Sequence, residues 1–431
     1  MLCHPVSPDY PRLPERTVEN GFSGTMTISH NHVMLPLGPQ YSRQSSHERR
    51  LQINNLLDHI NNELVARWDL GRRVIFGWQP SAAGIRVLFA PYRSLAQIRN
   101  AGLQESRLMR GRRLMGSGTF AEACRTLKER PAEIDLPFAV TEDDDGQGLP
   151  ALAVERLLRR YAISETLYRG IGLFDIVGFS KRPPMLQPAL LHALDEAINA
   201  AHSILRERGV LMSLARTTTG DGYYVWNREK GVESDAATYL LILLTLAYNE
   251  MARRRSGSEL VPVLRSCFTI GSHFSYQGVE LLRPRGYRYI VGQATIELAR
   301  IIDKCLPGQI LTGWFERPGD MDSDGFAPVH FAQGELFNPL RGVSLFDQSI
   351  ADVRCYLTGP PVEHHSFAVS RFAIRDKHGG THLVCNQKVT IDLEPAGVTA
   401  RQEPSHLYLG RMHSDLRDFN ATVERNVHFS I

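Results

Sequence analysis

Two aspartates stand at backbone positions suited to metal chemistry. Asp175 closes an apolar, strand-like run just before a glycine turn, and Asp221 lies between Gly220 and Gly222 at the tip of a tight hairpin. If those strands are neighbours, both carboxylates converge on one spot. Two carboxylates, joined by a carbonyl and by phosphate oxygens, make a hard-oxygen site for Mg2+ or Mn2+. The turn Gly178, Phe179, Ser180, opening a helix, presents free backbone N–H groups to an anion. Metal ions beside a phosphate cradle are what phosphoryl chemistry on a nucleotide needs. A Gly-Asp-Gly triplet on its own is more often a plain β-turn, so the weight falls on the conjunction.

That conjunction extends over three segments. FDIVGFS (174–180) is followed by TTTGDGYYVW (217–226) and by VGQATIELARIIDKCLPGQILTG (291–313). In order and spacing they resemble the catalytic core of class III adenylate and guanylate cyclases over about residues 165–313, with a weaker extension to a late hairpin. The resemblance implies an α+β fold with a ferredoxin-like catalytic core. It implies two divalent ions per site, Mg2+ or Mn2+, held by Asp175, Asp221 and the Ile176 carbonyl. Gly178, Phe179 and Ser180 match the backbone that grips the triphosphate. Arg300 matches the arginine that steadies the α-phosphate as the ribose 3′-oxygen attacks, and such a group acts through charge that develops in the transition state. Because the family's sites form between two catalytic domains, and this chain carries both sets of residues, a head-to-tail homodimer is implied.

The departures from the family carry information too. The ribose-orienting asparagine is replaced by Ile296, which leaves Gln293 or Thr295 on the same helix to substitute, or a different hold on the ribose. The two base-reading positions fall on Thr217 and Tyr289, which fit neither the adenine nor the guanine pattern. A phenol at one wall narrows the base pocket and favours a one-ring base. With FDIVGFSK and a hairpin bearing DKHG, the chain resembles the bacterial pyrimidine cyclases of Pycsar antiphage defence, which make cyclic UMP or cyclic CMP for a separate effector. Lys377, at that hairpin's tip, either holds the β- and γ-phosphates or is a solvated turn lysine. The alternatives are an adenylate or guanylate cyclase with an unusual pocket, and a catalytically silent cyclase-fold regulator that binds a nucleotide.

The elements that must position these residues follow from periodicity. A strand over 167–176 leads to a helix opened by Pro183 and Pro184, with Leu186, Leu190, Leu194, Ala197, Ile198, Ala201 and Leu205 as its buried stripe. Strands over 210–219 and 223–226 turn at Gly220-Asp221-Gly222. A helix over 234–255, with Ser234 or Asp235 at its cap, is apolar nearly all round at YLLILLTLAY and is therefore deeply buried or at a subunit interface. Strands over 264–275 and 279–290, a helix over 293–303 and a strand over 309–312 complete a mixed sheet with helices packed on it. Residues 314–365 read as an irregular insertion before a closing hairpin at 366–390, with a C-terminal extension at 391–431. Upstream, residues 1–45 read as loop. Residues 46–160 read as an accessory α+β region, with a helix over 46–68 striped by Ile53, Leu56, Leu57, Ile60 and Leu64.

Bulk composition sets limits. Hydrophobic residues make up 43% and charged residues 22% of the 431, the balance of a globular protein with a core. A net charge of +3 gives no bulk signal for a nucleic-acid partner. Six cysteines without CxxC or Cys/His ligand spacing argue against a disulfide framework and structural zinc. No signal-peptide pattern opens the chain. Its longest apolar run, 239–248, is about half of what a bilayer crossing needs, so no membrane span and a cytoplasmic location are expected.

Overall fold

The computed structural model describes residues 39–94, 111–141, 148–278, 287–319, 325–332, 334–359, 368–395 and 405–427. The described residues divide into two units between Asn54 and Asn55. Helix α1 (Pro39–Trp68) begins at Pro39, inside the segment expected to be loop. Of its expected stripe, Ile60 and Leu64 are fully buried, while Ile53, Leu56 and Leu57 are half-buried.

Strands β1 (Arg73–Ser81) and β2 (Gly84–Pro91), helix α2 (Ser117–Leu127) and strand β3 (Ala132–Asp135) follow. They build a small antiparallel sheet in the order β1-β2-β3. Helix α2 lays Phe120, Ala123 and Leu127 against Val74, Phe76, Leu88 and Ala90 of this sheet. Two short strands, β4 (Val140–Thr141) and β5 (Leu149–Pro150), pair in parallel ahead of α3 (Ala151–Leu158). Glu155 fastens α3 to the sheet. Its carboxylate accepts the Trp78 indole N–H at 2.8 Å, the Arg113 and Leu114 amides at 2.8 and 3.1 Å, and Arg159 Nε at 3.0 Å.

The region that holds the predicted site has a defined topology. Its elements run β6 (Ser164–Ile176), α4 (Gln187–Glu207), β7 (Leu214–Thr218), β8 (Gly222–Asn227), α5 (Val232–Ser256) and β9 (Leu264–Gly278). The strands lie in the order β9-β6-β8-β7 with every pair antiparallel. This is the β-α-β-β-α-β arrangement called ferredoxin-like, and the protein is of the α+β class.

The sheet then grows on the β9 side. Strand β10 (Tyr287–Val291) pairs with the end of β9, helix α6 (Gln293–Ile302) crosses back, and β11 (Ile310–Gly313) lies parallel to the start of β9. Strands β12 (Ser344–Leu345), β13 (Gln348–Leu357), β14 (Val369–Arg375), β15 (Thr381–Pro395), β16 (Ser405–Gly410) and β17 (Thr422–Val427) extend it to twelve strands among the described residues.

Strand alternation covers both faces. Phe174, Ile176, Val225 and Phe268 face α4 and α5, whereas Ile171, Leu173, Trp226 and Cys267 face α6. Helix α5 is buried within the chain itself, with Leu241, Leu243 and Ala247 fully enclosed. Each such leucine contributes about 1.5–3 kcal/mol of burial.

Several expectations are corrected. Helix α4 starts at Gln187 with Pro188 in its first turn, so Pro183 and Pro184 belong to the turn before it. Gly231 caps α5, and Ser234 and Asp235 lie buried inside its first turn. There the Asp235 carboxylate accepts the Gly170 N–H at 2.5 Å and Arg317 Nε at 2.6 Å, a buried pair that sequence pattern does not reveal. The segment read as an irregular insertion contains β13, whose alternating burial pairs it along β15. Residues 1–38, the acidic loop at 142–147 and the expected strand start at 279–286 lie outside the described residues.

Candidate active site

Backbone pairing brings the two aspartates together. Asp175 is the penultimate residue of β6, directly opposite Gly222 of β8. The Ile176 N–H donates to the Asp221 carbonyl at 3.0 Å, which clamps the hairpin tip onto the end of β6. A side chain at position 222 is sterically impossible without movement, because its Cβ would lie 1.9 Å from the Phe174 carbonyl oxygen. Thr219 Oγ1 donates to Asp221 Oδ1 at 3.3 Å and orients that carboxylate.

The Asp175 carboxylate is buried and accepts Arg265 Nε at 2.6 Å. Arg265 is the second residue of β9, on the face shared with Cys267 and α6, and its Nη1 also donates to the Cys305 carbonyl at 3.1 Å. Burial pushes the Asp175 carboxyl above the usual range. Arg265 opposes that shift, and the nearby charges of Asp221 and Asp303 add to it. Two further carboxylates thus stand near one that a single arginine pairs, a setting that suits a divalent cation. Among the described residues, no set of three or more His, Cys, Asp or Glu side chains has a metal-holding arrangement. A metal held here would draw on the acidic pair Asp175 and Asp221, with carbonyl and ligand oxygens completing its shell.

Sequence reasoning missed Arg265 and Asp303. The signal for Arg265 was available: a lone arginine in an otherwise apolar strand, LRSCFTI, needs a buried partner. Asp303 follows α6 directly and carried no such mark.

Beside the aspartates, Gly178 adopts the left-handed conformation at φ 68° and starts a single 3-10 turn, Phe179–Lys181. The Lys181 amide donates to the Gly178 carbonyl at 3.0 Å, so the amides of Phe179 and Ser180 precede the first bond of the turn. A cavity of about 410 Å3 adjoins this turn, with Ile176, Val177, Arg182, Arg253 and Glu259 in its wall.

Arg300 belongs to a second constellation. It lies in the last turn of α6, with Nε 3.7 Å from Asp376 Oδ2 on the β14–β15 hairpin. Asp376 accepts the amides of His378 and Gly380, each at 2.8 Å, and faces His382 Nε2 at 3.1 Å. The His382 contact and these amides hold its carboxyl well below the usual carboxylate range. Lys377 projects exposed from the same turn. Arg300 and Lys377 are thus brought to one hairpin. The end of α6 links the two sets, with Arg300 in its last turn beside Asp376 and Asp303, directly after it, acting on Asp175.

The two residues expected to read the base lie on different strands. Thr217 is half-buried on β7 opposite Tyr224, whose hydroxyl donates to the Thr295 carbonyl at 3.0 Å. Tyr289 is 38% exposed on β10, opposite Tyr276. On α6, Ile296 is exposed and Gln293 is exposed. Thr295 is buried with its hydroxyl donating to the Gly292 carbonyl at 2.9 Å, which removes it as a replacement for the ribose-orienting asparagine.

No protein-family model matches the chain, and no curated protein sequence matches it. Among solved structures it is similar to the guanylyl cyclase Cya2, with TM-score 0.31 and 12% identity over 56% of this chain and 98% of that one. It is similar to the adenylyl cyclase CyaB from P. aeruginosa, with TM-score 0.32 and 12% identity over 52% and 95% of the two chains. The guanylate cyclase domain of RhGC from Catenaria anguillulae, in complex with GTP, gives TM-score 0.30 and 14% identity over 54% and 100%. Likeness at this level leaves the site's own residues to carry its reading. No helix among the described residues is long and apolar enough to cross a membrane.

Proposed function

We propose that this chain is a nucleotidyl cyclase that converts a pyrimidine nucleoside triphosphate, UTP or CTP, into its 3′,5′-cyclic monophosphate and pyrophosphate. The observation that carries the reading is the pairing of Asp175 with Gly222, which brings Asp221 to the end of β6, where its charge acts on the Asp175 carboxylate beside Arg265. Two divalent ions, Mg2+ or Mn2+, bound through Asp175, Asp221 and the Ile176 carbonyl, would supply charge neutralisation on the triphosphate and acidify the ribose 3′-hydroxyl.

The remaining roles fall to the chain's own groups. The amides of Gly178, Phe179 and Ser180, together with Lys377, hold the β- and γ-phosphates. Arg265, already paired with a carboxylate, adds a cation on the same side. As the 3′-oxygen attacks the α-phosphorus, the bond to the bridging oxygen of the β-phosphate breaks and pyrophosphate leaves. Arg300 meets the charge that grows on the α-phosphate oxygens in that step. The Thr217 hydroxyl can pair with a uracil carbonyl or a cytosine amino group, and the Tyr289 ring occupies the volume of a purine's second ring. A head-to-tail homodimer would join Asp175 and Asp221 of one chain to Arg300, Thr217 and Tyr289 of the other. The Pycsar resemblance points to the product as a diffusible messenger that a separate effector reads in antiphage defence.

A second reading, a silent nucleotide-binding regulator, is favoured by one feature: exposed Ile296 stands where the ribose is oriented, and Thr295 is committed to Gly292. Incubating the purified protein with each of the four ribonucleoside triphosphates and Mn2+, with products read by mass, separates the readings. Cyclic UMP or cyclic CMP is expected to dominate, and Asp175→Ala or Asp221→Ala to abolish it. Dominant cyclic AMP or cyclic GMP overturns the base assignment, and no cyclic product from any substrate overturns the cyclase.

A further inference from the structure

A second cavity, of about 320 Å3, lies at the opposite end of β6 from Asp175. Ser164, Glu165 and Thr166 at the strand's start line it, and the nine residues from Thr166 to Asp175 span roughly 30 Å at about 3.3 Å each. It is therefore distinct from the candidate active site, in a size range that accepts small molecules.

Its wall is strongly one-signed. Arg112, Arg159, Arg169, Arg228 and Lys230 line it against the single carboxylate of Glu165. Two of these arginines are set in place by bonds to the fold. Arg159 Nε donates to Glu155 at 3.0 Å. Arg169 is buried and donates through Nη1 to the Asn227 and Glu229 carbonyls, which pins the turn bearing Arg228 and Lys230 to the rim. Beside them, His273 is the register partner of Thr166 and is 1% exposed. Neither of its ring nitrogens has a hydrogen-bond partner among the described residues. Burial, then the charges of Arg169 and Lys230, push its pKa down to about 3, so positive potential at this spot is strong enough to be felt by a neighbour. Gathering cations around a partly enclosed space is unfavourable unless an anion joins them.

We propose that this cavity is a second ligand site, for a small anion carrying two or more phosphate groups. The guanidiniums of Arg112 and Arg228 and the Lys230 ammonium, exposed at the rim, can meet phosphate oxygens. Arg159 and Arg169 are held beside them by Glu155 and by backbone carbonyls, and a multiply charged anion matches that concentration of positive charge. The indole of Trp226 and the side chain of Ile290 supply an apolar wall. The cavity takes Arg112 and Arg159 from the segment before β6 and Ile290 from β10, next to Tyr289. An occupant would tie these elements together. The inference does not rest on the cyclase reading, since none of these residues belongs to that site.

The test uses the full chain in EDTA at fixed ionic strength, with inorganic triphosphate as the probe and sulfate as the reference. Arg265→Ala weakens anion binding at the candidate active site, whereas the doubly substituted Arg228→Ala/Lys230→Ala protein alters only exposed side chains and folds as the parent does. Triphosphate is expected to raise the thermal midpoint of the parent and of Arg265→Ala. The double variant should bind it at least about tenfold more weakly, as loss of two charge-assisted contacts implies. Tighter binding of UDP than of inorganic diphosphate would mark the ligand as a nucleotide, and the reverse order as an inorganic polyphosphate. No shift in Arg265→Ala, an equal shift with sulfate, or unchanged binding by the double variant overturns the proposal.

Discussion

Asp175 owes its position to what surrounds its backbone rather than to its own side chain. The Ile176 amide on the Asp221 carbonyl and the absence of a Cβ at Gly222 let β8 close on the end of β6. Gly222→Ala must push the Phe174 carbonyl away and should cost about 1–3 kcal/mol of stability while separating the two carboxylates. Urea unfolding and triphosphate turnover check this, with Gly118→Ala as the control, since that exposed helical glycine has nothing within 4 Å of an added Cβ. Equal midpoints and turnover for Gly222→Ala would show that β8 can retreat without effect. Both aspartates and the glycine turn were legible in the sequence because tight turns have strict residue demands. Arg265 and Asp303 were not, since charge pairing across strands depends on register, and one residue of slip would turn Arg265 to the other face.

Among the elements, the ferredoxin-like set was legible almost entire, because α4, α5 and the strands around them carry strong periodicity. What failed lay at ends and edges. Helix α5 lacks the side-chain cap expected of Ser234 or Asp235, because Asp235 is drawn inward by the Gly170 amide and Arg317. Strand β13 was missed because it lies among Gly, Pro and Asp-rich connections, and its pairing with β15 comes from long-range register. Helix α3 offers the clearest energetic test. Burial pushes the Glu155 carboxyl up, but the Arg113 amide, the Trp78 indole and Arg159 outweigh it and leave the pKa lowered. A lowered folded pKa means stability that is present above the unfolded value of about 4.3 and is lost as pH falls through the folded value. Glu155→Ala should cost about 3 kcal/mol or more at neutral pH, because it strands two amides and an indole N–H. Glu155→Gln should cost less, and its deficit against the parent should shrink as the pH drops below about 4.3. A deficit that stays constant across this range would place the stabilisation elsewhere.

At the scale of the molecule, the contacts sort the site residues into two sets. Asp175, Asp221 and Arg265 meet at the ends of β6, β8 and β9, while Arg300 contacts Asp376 on the hairpin that carries Lys377. In the proposed dimer, each active site draws the first set from one chain and Arg300 from its partner. Chains bearing Asp221→Ala and chains bearing Arg300→Ala are each expected to be inactive alone. A mixed dimer of the two rebuilds one site from two intact halves and leaves the other doubly damaged. Random exchange makes half of the dimers mixed, so about a quarter of the sites in an equimolar mixture should be whole. Turnover near that fraction of the parent's, appearing at the rate at which labelled subunits exchange, is the expected result. The alternative geometry has Arg300 serve the carboxylates of its own chain through α6, where Asp303 already lies close enough to act on Asp175. In that case every mixed dimer holds one chain without Asp221 and one without Arg300, and turnover stays at the level of the inactive parents. Demonstrated exchange without recovery would therefore put catalysis inside one chain and remove the reason for the dimer.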